Sequence, residues 1–231
     1  MARKVKKQRR APVEAAPRGN SDRDKAIDAM MALLAEQRFE DIGLAEVAGR
    51  AGLKLSDLRA QFGSTLAIVT AHIKDIDRIV LAGNSADMAE EPPRERLLDV
   101  LMRRLEALAP YKDAVYSLMR SARRNPGLAL ALNAMAVRSQ SWMLEAAGVA
   151  AHGPRGALRA QGAALMFARV LSVWFDDEPG MERTMAALDR GLASAARWDG
   201  FVGDLCAIPG VIRGRRRRRR RDAGDEEAEA A

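Results

Sequence analysis

The chain has 231 residues and a formal net charge of +7, and 48% of its residues are hydrophobic, enough for one large domain or two small ones. Its single cysteine, Cys206, excludes an intramolecular disulfide, and no run approaches the roughly 20 consecutive apolar residues of a membrane-spanning helix. The basic N-terminus lacks the apolar segment of a secretory signal, so we expect a cytoplasmic protein.

Basic residues are concentrated at the two ends of the chain. Residues 1–20 contain seven basic groups and one acid, residues 213–231 contain eight arginines and five acids, and the residues between them carry a net charge of −2. Neither end has a periodic pattern, so we expect a disordered basic arm and a disordered tail that is arginine-rich and then acidic. Such segments either hold a polyanion through counterion release or serve as solvated, solubilising tails.

Residues 21–82 carry the pattern of four helices. Apolar residues recur every three or four positions, Ser21 and Ser64 stand where N-caps are expected, and Gly52 and Gly63 interrupt the pattern. The predicted helices cover residues 21–38, 44–51, 55–62 and 64–81.

An acidic, proline-containing stretch, residues 83–93, predicts a linker to a second helical region over residues 93–200. Proline and glycine divide this region into longer apolar-periodic segments. The predicted helices cover residues 93–108, 111–124, 128–147, 155–175 and 181–198. Because aromatic content is only 4% and no apolar run alternates, we expect an all-α chain with about nine helices and no strand.

The second and third predicted helices have the pattern of a helix-turn-helix. Ala48 supplies the small side chain at a close helix crossing, and Gly52 permits the positive φ angle that the turn demands. Four apolar residues can form a seam that joins both helices to the first one: Val47, Leu53, Leu58 and Phe62. The third helix would then present its exposed face to a DNA major groove.

Several short patterns surround this motif between residues 24 and 73. They are Ala26-x-x-Ala29-x-x-x-Leu33-x-Ala35-Glu36, Phe39, Val47-Ala48-x-x-Ala51-Gly52, and Leu58-x-x-x-Phe62 followed by Gly63-Ser64. Together they resemble the N-terminal domain of the TetR family of transcriptional regulators. The resemblance implies a TetR-like fold, in which a domain over residues 21–82 binds double-stranded DNA. It also implies a helical body over residues 93–200 that binds a small apolar ligand and forms a homodimer, through helices 155–175 and 181–198.

If this domain binds DNA, we expect Lys54 and Arg59 at phosphates, Ser56 and Gln61 near base edges, and Asp57 at a cytosine amino group. The alternative interpretation is that these residues are simply the solvated face of a short helix.

Two positions depart from the family pattern. Arg59 and Thr65 stand where family members usually have a tyrosine and a lysine that touch phosphates, and Thr65 offers only a neutral hydroxyl. Residues 22–72 also carry six basic and eight acidic groups, which is unfavourable next to DNA. The basic arm just upstream could compensate by lying along the DNA.

In the body, Trp142, Phe167 and Trp174 are candidates to line an apolar ligand pocket, and the alternative is that they are ordinary hydrophobic core. The sequence leaves open which way three neighbouring polar side chains face: Arg138, Gln140 and Arg169.

The C-terminal part of the body carries a second pattern. The stretch Val173-Trp174-Phe175-Asp176-Asp177-Glu178-Pro179-Gly180, followed by Thr184-Met185-x-x-Leu188-Asp189-Arg190, is similar to the ubiquinone-biosynthesis accessory proteins. This resemblance implies an alternative function, a lipid-binding protein with a TetR-like fold and no specific DNA binding. Because the sequence has no phosphate-binding loop, catalytic triad or metal-ligand spacing, we expect no enzyme activity, metal or cofactor.

Overall fold

A computed structural model describes residues 19, 21–83, 88, 90–178 and 180–194. These residues form eight complete α-helices and part of a ninth, and none of them lies in a strand, which confirms the all-α prediction. The helices are α1 (Asp22–Glu36), α2 (Leu44–Ala51), α3 (Leu55–Gln61), α4 (Thr65–Ala82), α5 (Pro93–Leu108), α6 (Lys112–Ala122), α7 (Pro126–Ala146), α8 (Gly153–Trp174) and α9, which covers residues 182–194. The tail predicted over residues 213–231, and all but Gly19 of the arm predicted over residues 1–20, lie outside the described residues.

Local side-chain chemistry explains where several helices begin. The Ser21 hydroxyl accepts a hydrogen bond from the backbone N–H of Asp24, and Ser64 accepts one from Ala67 at 3.1 Å. These contacts satisfy N–H groups that have no partner within the first turn of a helix. α5 and α7 begin with a proline and α8 has Pro154 as its second residue, positions at which the missing N–H costs nothing. α7 is also capped by the Asn125 side chain, which accepts a hydrogen bond from the Leu128 N–H.

The chain divides into two compact units, residues 1–188 and residues 189–231. Of the second unit, residues 189–194 are described, and they are helical. Within the described residues, no helix combines the length and apolarity needed to cross a membrane.

The first helix, α1, lies at the centre of the N-terminal core. It packs against α2, α3, α4 and α6, and its side chains Ile27, Met30, Leu33 and Leu34 are each at most 1% exposed. Burying a side chain of this size stabilises the folded state by about 1.5–3 kcal/mol. The same core includes Leu118 of α6, so the helix-turn-helix shares its hydrophobic core with the body.

A buried polar cluster joins α4 to two helices of the body, α5 and α7. The Arg104 guanidinium of α5 is paired with the Asp77 carboxylate of α4, which also accepts a hydrogen bond of 2.6 Å from the Ser139 hydroxyl of α7. The Arg104 guanidinium lies 5.6 Å from the centre of the Phe167 ring on α8. Because α4 also carries Ile68 in the N-terminal core, this cluster ties the body to the helix that directly follows the motif.

The Asp77→Ala variant should be strongly destabilised. Removing the carboxylate leaves the buried Arg104 cation uncompensated, which costs about 3–5 kcal/mol of the free energy of unfolding. Urea denaturation followed by circular dichroism measures the change. Glu91→Ala, at an exposed loop position, is the matched control and should unfold like the wild type.

The double variant Asp77→Leu/Arg104→Met removes both charges and should be more stable than Asp77→Ala alone. If Asp77→Ala lowers the free energy of unfolding by less than about 1 kcal/mol, burial of the Arg104 cation does not require the Asp77 carboxylate.

Candidate nucleic-acid interface

The turn between α2 and α3 is set by one glycine. Gly52 adopts φ 67° and ψ 30°, the left-handed conformation that its place in the sequence predicts. Its N–H donates to the Gly49 carbonyl at 3.2 Å, and the N–H of Leu53 donates to the Ala48 carbonyl at 2.9 Å. These bonds satisfy the last carbonyls of α2 and turn the chain into α3.

The predicted apolar seam holds both short helices against α1. Val47 is fully buried, Leu58 is 1% exposed and Phe62 is 7% exposed, while Leu53 is partly buried against the same core. Ala48 is also buried, as expected for the residue at the helix crossing. The seam therefore determines which face of α3 is turned outward.

The structure gathers five of the six predicted DNA contacts on the outward face of α3 or at its N-cap. The exposed residues are Lys54, Ser56, Asp57, Arg59 and Gln61. The sixth residue, Thr65, is partly buried in the first turn of α4, next to the capping Ser64.

Among the described residues, several cations of residues 22–72 are paired with acids, whereas the two at α3 and its N-cap are not. The Arg50 guanidinium of α2 makes two hydrogen bonds to the Glu36 carboxylate, at 2.8 and 2.6 Å, and these hold the pKa of Glu36 below its usual value. Arg23 is similarly paired with Asp75 at 3.0 Å. Among the described residues, no acidic group lies within salt-bridge distance of Lys54 or Arg59. Both side chains are therefore available to a phosphate.

Two exposed residues of α3, Leu55 and Ala60, were not among the predicted DNA contacts. Leu55, the first residue of α3, is 53% exposed, although it lies one turn before the buried Leu58. The sequence signal for its exposure is its position between the polar residues Lys54 and Ser56. The three-residue spacing to the apolar Leu58 favours burial of Leu55 equally well.

The body holds the segment between α1 and α2 directly. The Ser117 hydroxyl of α6 donates to the Gln37 carbonyl at 2.8 Å, and the backbone N–H of Phe39 donates to the Ser121 hydroxyl at 3.2 Å. A surface groove of about 360 Å³ lies at the same junction. It is lined mainly by polar residues: Ala35, Glu36, Gln37, Arg38, Asp113, Tyr116, Ser117 and Arg120.

The three predicted pocket residues have different environments. Phe167 is buried beneath the Arg104 guanidinium, and Trp174 is buried with its ring 5.4 Å from the Lys112 ammonium nitrogen. Trp142 is 57% exposed on α7. Phe167 and Trp174 are therefore buried, whereas Trp142 is on the surface.

The structure also answers which way the neighbouring polar side chains face. Arg138 and Arg169 are exposed, whereas Gln140 is 1% exposed. The Gln140 side-chain oxygen has no hydrogen-bond partner among the described residues, which makes it the inward-facing polar group of the three.

One face of α8 is exposed along its length. Leu158 is 56% exposed and Leu165 is 53% exposed, and Gly162, Arg169 and Ser172 lie exposed at the intervening three- and four-residue spacings. At the start of α9, Met185 and Ala186 are exposed as well. The last four residues of the helix predicted over 181–198 lie outside the described residues.

The segment that carried the second resemblance forms the connection between α8 and α9. The Asp177 carboxylate accepts hydrogen bonds of 2.7 Å from both the N–H and the hydroxyl of Thr184. These bonds hold the pKa of Asp177 below its usual value and satisfy donors in the first turn of α9. In this structure, the described part of the segment has a helix-capping role.

The fold is that of solved TetR transcriptional regulators. A regulator from Nitrosomonas europaea superposes with a TM-score of 0.61 at 22% sequence identity, covering 76% of this chain and 98% of the other. A regulator from Rhodococcus sp. RHA1 has a TM-score of 0.52 at 19% identity, covering 75% and 95% of the two chains.

A TetR-family regulator from Streptomyces coelicolor also has a TM-score of 0.52, at 17% identity, and covers 82% of this chain and 88% of its own. No protein-family model and no curated protein sequence matches the chain. The TetR-like architecture predicted from the sequence is therefore confirmed at the level of the fold.

Two glycine variants test the geometry of the turn. Gly52→Ala places a side chain at a positive φ and should lower the free energy of unfolding by about 1–2 kcal/mol, although a Cβ there would meet no atom within 4 Å. Gly49→Ala is the matched control, because a Cβ there also meets nothing but lies within α2. It should raise the stability by about 0.5–1 kcal/mol. Equal effects of the two variants in urea denaturation would contradict the left-handed turn.

Proposed function

We propose that the protein is a dimeric transcriptional regulator of the TetR type that binds double-stranded DNA by inserting α3 into the major groove. The observation that carries the proposal is the outward face of α3, where Lys54, Ser56 and Arg59 are exposed on a helix that the buried seam holds rigidly. The TetR-like fold supports it, because a helix-turn-helix presents its second helix to base edges. Such a protein would act in the cytoplasm.

Each polar residue of this face has a proposed role. Lys54 and Arg59 bind phosphates, and the Thr65 hydroxyl is positioned at the start of α4 to bind another. Ser56 and Gln61 contact base edges, and Asp57 accepts a hydrogen bond from a cytosine amino group. The Ser56 hydroxyl donates to the Asp57 carboxylate at 3.3 Å, so these two residues share a hydrogen bond that DNA would replace.

The acidic balance of residues 22–72 assigns a further role to the N-terminal arm. Six basic residues against eight acids give this region a net charge of −2, while residues 1–20 carry seven basic groups and one acid. We propose that the arm adds phosphate contacts, which supply affinity without sequence preference.

We propose that two copies of the chain pair through α8 and α9. The exposed stripe that contains Leu158 and Leu165 supports this arrangement, because apolar residues aligned on one helix face bury well against a symmetry-related copy. The small Gly162 between them allows close approach of the two helices. Pairing would place the two α3 helices about 34–36 Å apart, one turn of DNA.

A small apolar ligand in the body is the proposed regulator of DNA binding, with Phe167 and Trp174 as apolar contacts. Two connections support coupling between the body and the motif. The α4 helix contributes to the N-terminal core and to the buried Asp77 cluster, and Ser117 of α6 bonds to the chain that follows α1. A ligand that favours another arrangement of α4 or α6 would change the separation of the two α3 helices and release DNA.

The comparisons do not favour the lipid-binding alternative. The three solved structures named above are those of transcriptional regulators, and in this chain the Thr184 hydroxyl donates a hydrogen bond to the Asp177 carboxylate.

The Lys54→Ala/Arg59→Ala variant tests the proposed interface. Fluorescence anisotropy with a duplex from the region upstream of the protein's own gene should show weaker binding, because each subunit then neutralises two fewer phosphates. The slope of log affinity against log salt should become shallower by about 0.9 for each phosphate that is no longer neutralised. The variant should lose affinity for a scrambled duplex by a similar factor, because phosphate contacts do not depend on sequence.

The matched control is Arg78→Ala/Arg138→Ala, which removes two exposed arginines from other surfaces and should leave affinity nearly unchanged. A third protein lacking residues 1–20 separates the contribution of the arm. The proposal fails if the wild type binds the upstream and scrambled duplexes equally and only the arm deletion weakens binding.

Leu165→Glu tests the proposed dimer. A carboxylate buried in the centre of the α8 stripe is costly, so this variant should sediment as a monomer where the wild type sediments as a dimer. Leu55→Glu, at a leucine with the same exposed fraction of 53%, is the control and should remain dimeric. Sedimentation velocity at micromolar concentration distinguishes these outcomes, and an identical mass for all three proteins would refute the proposed interface.

A further inference from the structure

A large apolar side chain stands exposed on the proposed recognition helix. Seven large hydrophobic residues of the described chain are substantially exposed, and Leu55 alone among them belongs to residues 21–83. The other six belong to the body: Tyr116, Leu130, Trp142, Leu158, Leu165 and Met185. In the described part of the helix-turn-helix, every other large apolar side chain is at least partly covered.

The packing of α3 does not require Leu55 to be outside. Leu58, one turn further on, already anchors the helix in the seam, and Leu55 could have been polar without weakening that anchor. A leucine that is 53% exposed retains apolar surface whose burial against a partner would be favourable. Its neighbours Lys54 and Ser56 are exposed and polar, so this apolar group lies within an otherwise hydrophilic face.

The charges beside Leu55 favour DNA as the partner. Lys54 adjoins it, Arg59 follows one turn later, and no acidic group of the described chain pairs with either cation. Residues at the start of a recognition helix meet base edges in the major groove. The apolar group that the major groove offers is the C5-methyl of thymine, which cytosine lacks.

We propose that Leu55 is a specificity-determining residue that reads thymine through its C5-methyl group. This inference rests on the proposed function and adds one base assignment to it. Lys54 and Arg59 hold α3 in register on the backbone, and Leu55 covers the methyl group at one position of each half-site. The contact discriminates thymine from uracil, which differ in this methyl group alone, and so it can be measured without altering any hydrogen bond.

The experiment begins by selecting binding sites for the full-length wild-type protein from a library of random-sequence DNA duplexes. The thymidines of the selected site are then replaced by deoxyuridine, one position at a time and at the equivalent position of both half-sites. Affinity for each duplex is measured by fluorescence anisotropy. At one position, removal of the methyl group should lower wild-type affinity by about three- to fivefold for each half-site. For Leu55→Ala, the thymine and uracil duplexes should bind equally at that position.

Two further variants serve as controls. Lys54→Ala should weaken binding to both duplexes and leave their ratio as in the wild type, because a phosphate contact does not sense the methyl group. Leu55→Met keeps a flexible apolar side chain and should retain part of the discrimination. Since Leu55 is exposed, neither of its substitutions should affect folding, which thermal denaturation verifies.

The outcomes separate the inference from the proposed function. If the library yields an enriched site whose binding is insensitive to every thymine-to-uracil change, or if Leu55→Ala keeps the wild-type ratio, Leu55 does not read thymine although the protein reads DNA. If no sequence is enriched, both the proposed function and this inference are overturned.

Discussion

The buried face of α1 is the constraint on which the rest of the structure depends. Its side chains Ile27, Met30, Leu33 and Leu34 are almost completely excluded from solvent. The helix is contacted by α2 and α3 of the motif, by α4, and by α6 of the body. Because a close-packed core transmits displacement rather than absorbing it, the motif cannot shift as a separate module. The position of α3 is therefore linked to the position of α6.

The α4 helix makes a second connection of a different kind. Its first half contributes Ile68 and Val69 to the core around α1, and its second half carries Asp77, which is held by Arg104 and Ser139. A buried ion pair loses much of its stabilisation when either charge moves. The Asp77 cluster thus sets the position of α4 relative to α5 and α7. Nearby on α7, Gln140 is buried, and its side-chain oxygen has no hydrogen-bond partner within the described part of the chain.

Few cations are available on the proposed DNA-binding face. Arg50 is engaged with Glu36 and Arg23 with Asp75, so these cations contribute to the packing of the motif. Lys54 and Arg59 remain for phosphates, and a face with few cations must obtain affinity elsewhere. The basic residues 1–20 offer one source, and apolar contact by Leu55 offers another that is insensitive to salt. Affinity would then come partly from the arm, whereas sequence preference would come from α3.

Local chemistry made much of the fold readable from the sequence. Helix α2 was predicted with its observed bounds, Ser64 caps α4, and Gly52 has a positive φ, because caps and turns depend on residues within one or two turns of each other. Apolar spacing also identified the seam of Val47 and Leu58. The first helix was predicted two residues too long, since the chain leaves the helical conformation at Gln37 without a proline or glycine to mark the end.

Other properties were decided only by the tertiary structure. Trp174 is buried while Trp142 is exposed, Gln140 turns inward, and Leu55 remains outside one turn away from the buried Leu58. In each case the residue type and the helical period permit either orientation. The orientation is decided by which neighbouring helix covers that face, and such contacts join residues far apart in the chain. Periodicity within a single helix identifies an apolar face, but it carries no information about the distant segment that buries it.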